Sequence, residues 1–106
     1  MPRDKKKDDH TEDLLKALGH EMRRRILRVL IGRTESPISP REVAGELRVP
    51  LSNVSYHVRV LADCAAISLV KTKPVRGSMQ HFYSPSPEVV RLPWVATVLD
   101  TPGDPA

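Results

Sequence analysis

Residues 39–61, SPREVAGELRVPLSNVSYHVRVL, constrain the chain more tightly than any other stretch, because they suit little besides two short helices joined by a tight turn. Ser39 supplies a capping hydroxyl, Pro40 stands at the first helical position and Glu42 at the third, which together mark a helix start. Val43, Ala44 and Leu47 form the buried face of that helix. Pro50 cannot donate to it, and a second apolar series, Val54, Val58 and Leu61, follows at helical spacing. Left exposed on the second helix are Ser52, Asn53, Ser55, Tyr56 and Arg59. Side chains of these types bond to base edges and phosphates, and they lie mostly along one side, as a helix seated in a DNA major groove requires. The arrangement is a helix-turn-helix.

At 106 residues the chain is expected to form one domain, residues 11–99, between an arm (1–10, MPRDKKKDDH) and a polar tail (100–106). The arm mixes both charge signs without apolar periodicity, so Lys5, Lys6 and Lys7 read as solvated. Thr11 can cap a helix holding Leu14, Leu15 and Leu18, which Gly19 ends. A second helix, from Glu21 to Arg33, buries Met22, Ile26, Leu27 and Leu30, and its arginines 23, 24, 25 and 28 read as a solvated face or a source of salt bridges at a dimer rim. Thr34 to Ile38 is a loop. After Leu61 the helix continues to Cys64 or Ala65, and the period then becomes two: Ile67, Leu69 and Lys71 on one face, Ser68, Val70 and Thr72 on the other. Val75 to Ser78 turn the chain, and Met79 to Tyr83 return as a second strand. Such a hairpin is marginal alone and must pack on the helices before it. Ser86, Pro87 and Glu88 mark a further helix start with Val89, Val90 and Leu92, Pro93 interrupts it, and Trp94, Val95, Val98 and Leu99 make a short apolar segment.

The predicted fold is therefore mainly α with a small β-hairpin, in the order of a winged helix-turn-helix. The segments LLKALGHEMRRRILRVL, SPREVAGELRVPLSNVSYHVRVLADCAAISLV and VRGSMQHFYSPS resemble the ArsR-like family of bacterial transcriptional regulators, across residues 14–86. That resemblance implies a homodimeric repressor or activator, the repressor reading being preferred, that reads double-stranded DNA at a palindromic operator. It also implies that Ser52, Asn53, Ser55 and Tyr56 face the groove. Arg59, one turn on, suits the backbone, and Arg41 lies near a helix N-terminus that suits a phosphate. Lys71, Lys73 and Arg76, with Gln80 and His81, mark a basic wing for the minor groove or the backbone. His57, between Tyr56 and Val58, is expected to pack on a neighbouring helix.

Composition narrows the partners. Residues 36–83 carry 6 basic and 3 acidic side chains, residues 84–106 carry 1 and 3, and the net charge is +4, so the middle of the chain suits an anion. So small a core often gains by dimerising. Leu14, Leu15, Leu18, Val90, Leu92, Trp94, Val95 and Val98, from the first helix and the C-terminal segment, are expected to form the subunit interface. A single cysteine, Cys64, excludes an intrachain disulfide, and the absence of a signal core or membrane span points to the cytoplasm and the nucleoid. Metal-sensing relatives carry Cys-x-Cys at the start of the first helix of the motif, where this chain has Ser39, Pro40 and Arg41. Others use His and carboxylates on the C-terminal helix, where only Glu88 and Asp100 stand. Cys64 with His10, His20, His57 and His81 supplies no converging set of ligands, so neither metal nor cofactor is expected. Cys64 itself reads as a buried residue at a helix end. No nucleophile, carboxylate pair or phosphate loop suggests an enzyme. A protein-interaction module, an RNA binder and a sensor of an unknown small-molecule inducer remain as alternative readings.

Overall fold

The computed structural model describes residues 11–33 and 35–100; the expected arm, including Lys5 to Lys7 and His10, the tail from residue 101 and Thr34 lie outside the described residues. Helix α1 spans residues 11–17. Helix α2 (Glu21–Ile31) begins at His20, whose Nδ1 accepts from the Met22 amide at 3.2 Å. It ends at Ile31, two residues before the expected Arg33, with Gly32 as its C-cap. Helix α3 (Pro40–Leu47) starts as its sequence requires: the Ser39 hydroxyl accepts from the Glu42 amide at 3.3 Å, and Glu42 Oε1 accepts from the Ser39 amide at 2.9 Å. Three residues later helix α4 (Leu51–Asp63) begins at Pro50, with no side-chain cap. Val54, Val58 and Leu61 of α4 are buried against Val43 and Ala44 of α3 and Ile26, Leu27 and Leu30 of α2 in one core.

Strands β1 (Ile67–Val75) and β2 (Ser78–Pro85) form the wing. Arg76 and Gly77 between them both have positive φ, 40° and 82°, the two-residue turn whose twist matches that of paired strands. The simple alternation expected along β1 fails at Val70: Leu69 pairs with Tyr83 and Lys71 with Phe82, which leaves Val70 as an extra residue. A bulge shifts the side-chain phase by one, so Leu69 and Val70 are both exposed and only Ile67 of β1 is buried. The segment before Ser39 is also more than a loop. Ile38 exchanges both backbone hydrogen bonds with Tyr83, at 3.0 and 3.1 Å, and so joins β2 on the side opposite β1.

After β2 the Ser86 hydroxyl, instead of capping the next helix, donates to the Ala65 carbonyl at 2.7 Å and clips the chain to the end of α4. Helix α5 (Pro87–Val90) is a single turn. Pro93 then opens helix α6 (Pro93–Leu99), so the segment expected to be merely apolar is helical, with proline at the position where a missing N–H costs nothing.

Two expectations about surfaces are corrected. Leu14, Leu18 and Val95, assigned to a subunit interface, are 4%, 1% and 1% exposed within a single chain and belong to its own core. Short helices lacking a second layer must cover themselves with their best apolar residues first. Leu15, by contrast, is 56% exposed, and Val90, Leu92, Trp94 and Val98 are half-buried. Arg23, Arg24 and Arg28 of α2 are likewise not simply solvated or waiting at a rim. Arg24 donates to the Leu18 carbonyl at 2.9 Å and Arg28 to the Leu99 carbonyl, so adjacent turns of one α2 face hold the C-terminal ends of α1 and α6.

Candidate nucleic-acid interface

Helix α4 turns its apolar side into the core, which leaves the opposite side outward. Ser52, Asn53, Ser55, Tyr56 and Arg59 are all exposed, Tyr56 by 60%. At 100° per residue Ser52, Ser55, Tyr56 and Arg59 fall on one stripe, with Asn53 at its edge. None of these side chains has a hydrogen bond or ion pair among the described residues, so their polar atoms are available to a partner.

His57 lies behind that stripe and packs inward, as its position predicts. It is 5% exposed, its Nδ1 accepts from Arg23 Nε at 3.0 Å, its ring centroid lies 4.4 Å from that of His20, and Tyr56 meets it edge-on at 5.1 Å. Burial first, then the neighbouring His20 and Arg23, lowers the His57 pKa below its ordinary 6.5. Arg23 also reaches the Ala17 carbonyl at 3.5 Å, so one guanidinium joins the end of α1 to α4. Periodicity gave no sign of this link, since it joins residues 34 apart.

The wing carries Lys71, Lys73, Arg76 and His81, all exposed. Lys71 Nζ lies over the Phe82 ring, 5.1 Å from its centroid, which restrains it on the hairpin. Gln80, which the sequence groups with these, is tied elsewhere: its Nε2 donates to Ser39 Oγ at 3.0 Å. The capping hydroxyl of α3 thus also anchors β2, and sets the wing against the helix-turn-helix.

Between α3, α4 and β2 lies an open cleft of about 520 Å³. Ser55, Arg59 and Leu51 of α4, Arg41 of α3, and Met79 and His81 of β2 line it, and Arg41 and Arg76 share the adjoining hollow. The tertiary fold therefore brings Arg41, Arg59 and Arg76 around one groove. The single ion pair among the described residues is Arg33 with Glu46 at 2.6 Å, so none of the three is ion-paired there, although Asp63 also lines the cleft. Leu51 and Met79, 38% and 51% exposed, are groove residues that sequence reasoning missed; their signal was an apolar side chain on an otherwise polar face. Ser39 and Cys64 are each occupied. Ser39 is fully buried in its cap, and the Cys64 thiol donates to the Leu61 carbonyl at 3.5 Å, with burial raising its pKa.

Comparison with known proteins agrees with this fold. Residues 18–67 match the family model of a helix-turn-helix domain. No curated protein matches the chain. Among solved structures, the homodimeric winged helix-turn-helix DNA-binding domain (fragment 1–100) of Mb0332 from Mycobacterium bovis, a possible ArsR-family transcriptional regulator, superposes with a TM-score of 0.64. The two are 18% identical over 93% of this chain and 80% of that one. Reduced HlyU from Vibrio cholerae N16961 gives 0.60 at 24% identity, over 92% of this chain and 90% of its own, and a second HlyU structure gives 0.56 at 24% over 88% of each. The fold is that of a winged helix-turn-helix domain. In the order of its elements the chain is similar to the Mb0332 domain, described as a possible ArsR-family regulator.

Proposed function

We propose that the protein is a homodimeric, sequence-specific double-stranded DNA-binding transcriptional repressor that reads a palindromic operator. The observation that carries this reading is the stripe Ser52, Ser55, Tyr56 and Arg59 on α4, without hydrogen-bond or ion-pair partners among the described residues, set beside a basic wing across a cleft and adjoining hollow that Arg41, Arg59 and Arg76 line without ion pairs. Helix α4 enters the major groove, where Ser55, Asn53 and Tyr56 meet base edges and thymine methyls. Arg76, with Lys71 and Lys73, meets the minor groove or its phosphates, and the strand between the two grooves passes Arg41 and Arg59. A second copy supplies the other half-site by packing Leu15, Val90, Leu92, Trp94 and Val98 against their equivalents. The homodimeric form of the Mycobacterium bovis domain supports this arrangement. Dimerisation also relieves the exposure of Leu15, which a small core cannot cover. The protein works in the cytoplasm, on the nucleoid; no helix among the described residues is long and apolar enough to cross a membrane.

Selection from random duplexes, followed by titration at several salt concentrations, tests the reading. The expected result is an enriched sequence with two-fold symmetry, bound with an affinity that falls steeply with salt. Failure to enrich any sequence, with salt-insensitive capture of a protein instead, would support the interaction-module alternative.

A further inference from the structure

We propose that Arg48, in the turn between α3 and α4, is an additional phosphate-binding residue flanking the entry of α4 into the major groove; this rests on the DNA-binding reading above. Arg48 closes α3 in the left-handed conformation, φ 59° and ψ 48°, with its own amide and that of Val49 both reaching the Ala44 carbonyl. Helices that end in this way most often place glycine at the left-handed residue, because a Cβ there meets the following carbonyl. An arginine at this site gives up that ease and presents a cation from a short, hydrogen-bonded turn.

The surroundings leave that cation free. Arg48 is exposed and has no side-chain partner among the described residues, whereas Arg23, Arg24, Arg28 and Arg33 are all bonded to protein acceptors. Glu46, the nearest acidic residue in sequence, is held by Arg33 at 2.6 Å. From Arg48 to Ala62 the chain has no Asp or Glu. Arg48 also stands only three residues before the first turn of α4, whose Ser52 and Asn53 are the stripe's leading members. The field at this end of the recognition helix is therefore positive, and a duplex seated on α4 brings a phosphate strand past it.

The test uses Arg48→Gly and Arg48→Lys in the full chain, with Arg76→Ala alongside, read by melting temperature and by titration of preferred and random duplexes across salt. Arg48→Gly should melt at the same or a higher temperature than the parent, because it relieves the left-handed strain. It should bind both duplexes several-fold more weakly, with the salt slope reduced by about 0.9 for each phosphate that the arginine had neutralised. Arg48→Lys should keep the slope. Parental affinity and slope in Arg48→Gly, while Arg76→Ala loses both, would overturn the Arg48 assignment and leave the DNA-binding reading standing. A loss confined to the preferred duplex would also overturn it, since that would be base reading. No salt-dependent binding by the parent protein would sink both.

Discussion

Under the proposed DNA-binding function, Tyr56 and Arg76 stand on two surfaces that would supply different kinds of energy. Base contacts discriminate among sequences, whereas phosphate contacts attract all of them. Replacing Ser55 or Tyr56 by alanine should cost about 1–3 kcal/mol on the preferred site and leave random DNA nearly unaffected. Replacing Arg76 should weaken both by similar factors and lower the salt slope by about one unit per phosphate. Titration of both duplexes separates the two, and a Tyr56 variant with full sequence preference would show that α4 does not read the bases. His57 adds a dependence on pH. The folded protein holds its imidazole neutral below the ordinary pKa of 6.5, through burial and then through His20 and Arg23. The unfolded chain therefore binds the extra proton first as pH falls through 6.5, and stability should decline below that value and be fully present above it. Urea unfolding at about pH 7.5 and about pH 5.5 should show the decline, and His57→Gln, which keeps an acceptor for Arg23, should flatten it. Equal slopes in the two proteins would remove His57 as the cause.

At the scale of elements, the wing and the helix-turn-helix are not independent, because Ser39 serves both. Its hydroxyl caps α3 and accepts from Gln80, and next to it Ile38 pairs with Tyr83. Ser39→Ala should cost about 0.5–2 kcal/mol through the cap alone. Gln80→Ala should cost about 0.5–1.5 kcal/mol. Because the two share one hydrogen bond, the double variant should be less destabilised than the sum, and denaturant unfolding of the four proteins measures that coupling. Strict additivity would mean that the wing is held by Ile38 and Tyr83 without help from Gln80.

For the whole molecule, the question is what covers the apolar residues that one subunit leaves out. Sedimentation at micromolar concentration should give about twice 11.9 kDa. Leu15→Glu, at an exposed position, should yield folded monomers with much weaker operator binding, since each would hold one half-site. Leu14→Ala should instead unfold more easily, by about 2–5 kcal/mol, because that residue is in the core. A Leu15→Glu protein that remains dimeric would place the interface elsewhere.

The features legible in the amino-acid sequence alone are those that local physics specifies. The box between Ser39 and Glu42 starts α3, the 3.6-residue spacing of Val54, Val58 and Leu61 orients α4, and that orientation leaves Ser52, Ser55, Tyr56 and Arg59 outward. Each depends on residues within a few positions of one another. Packing between distant segments settled the rest: which leucines one chain buries by itself, why Val70 breaks the strand and what Arg23, Arg24 and Arg28 hold. Arg28 meets a carbonyl 71 residues away and Gln80 a hydroxyl 41 residues away. Contacts at such separations leave no period in the chain, and it is they that gather Arg41, Arg59 and Arg76 around one groove.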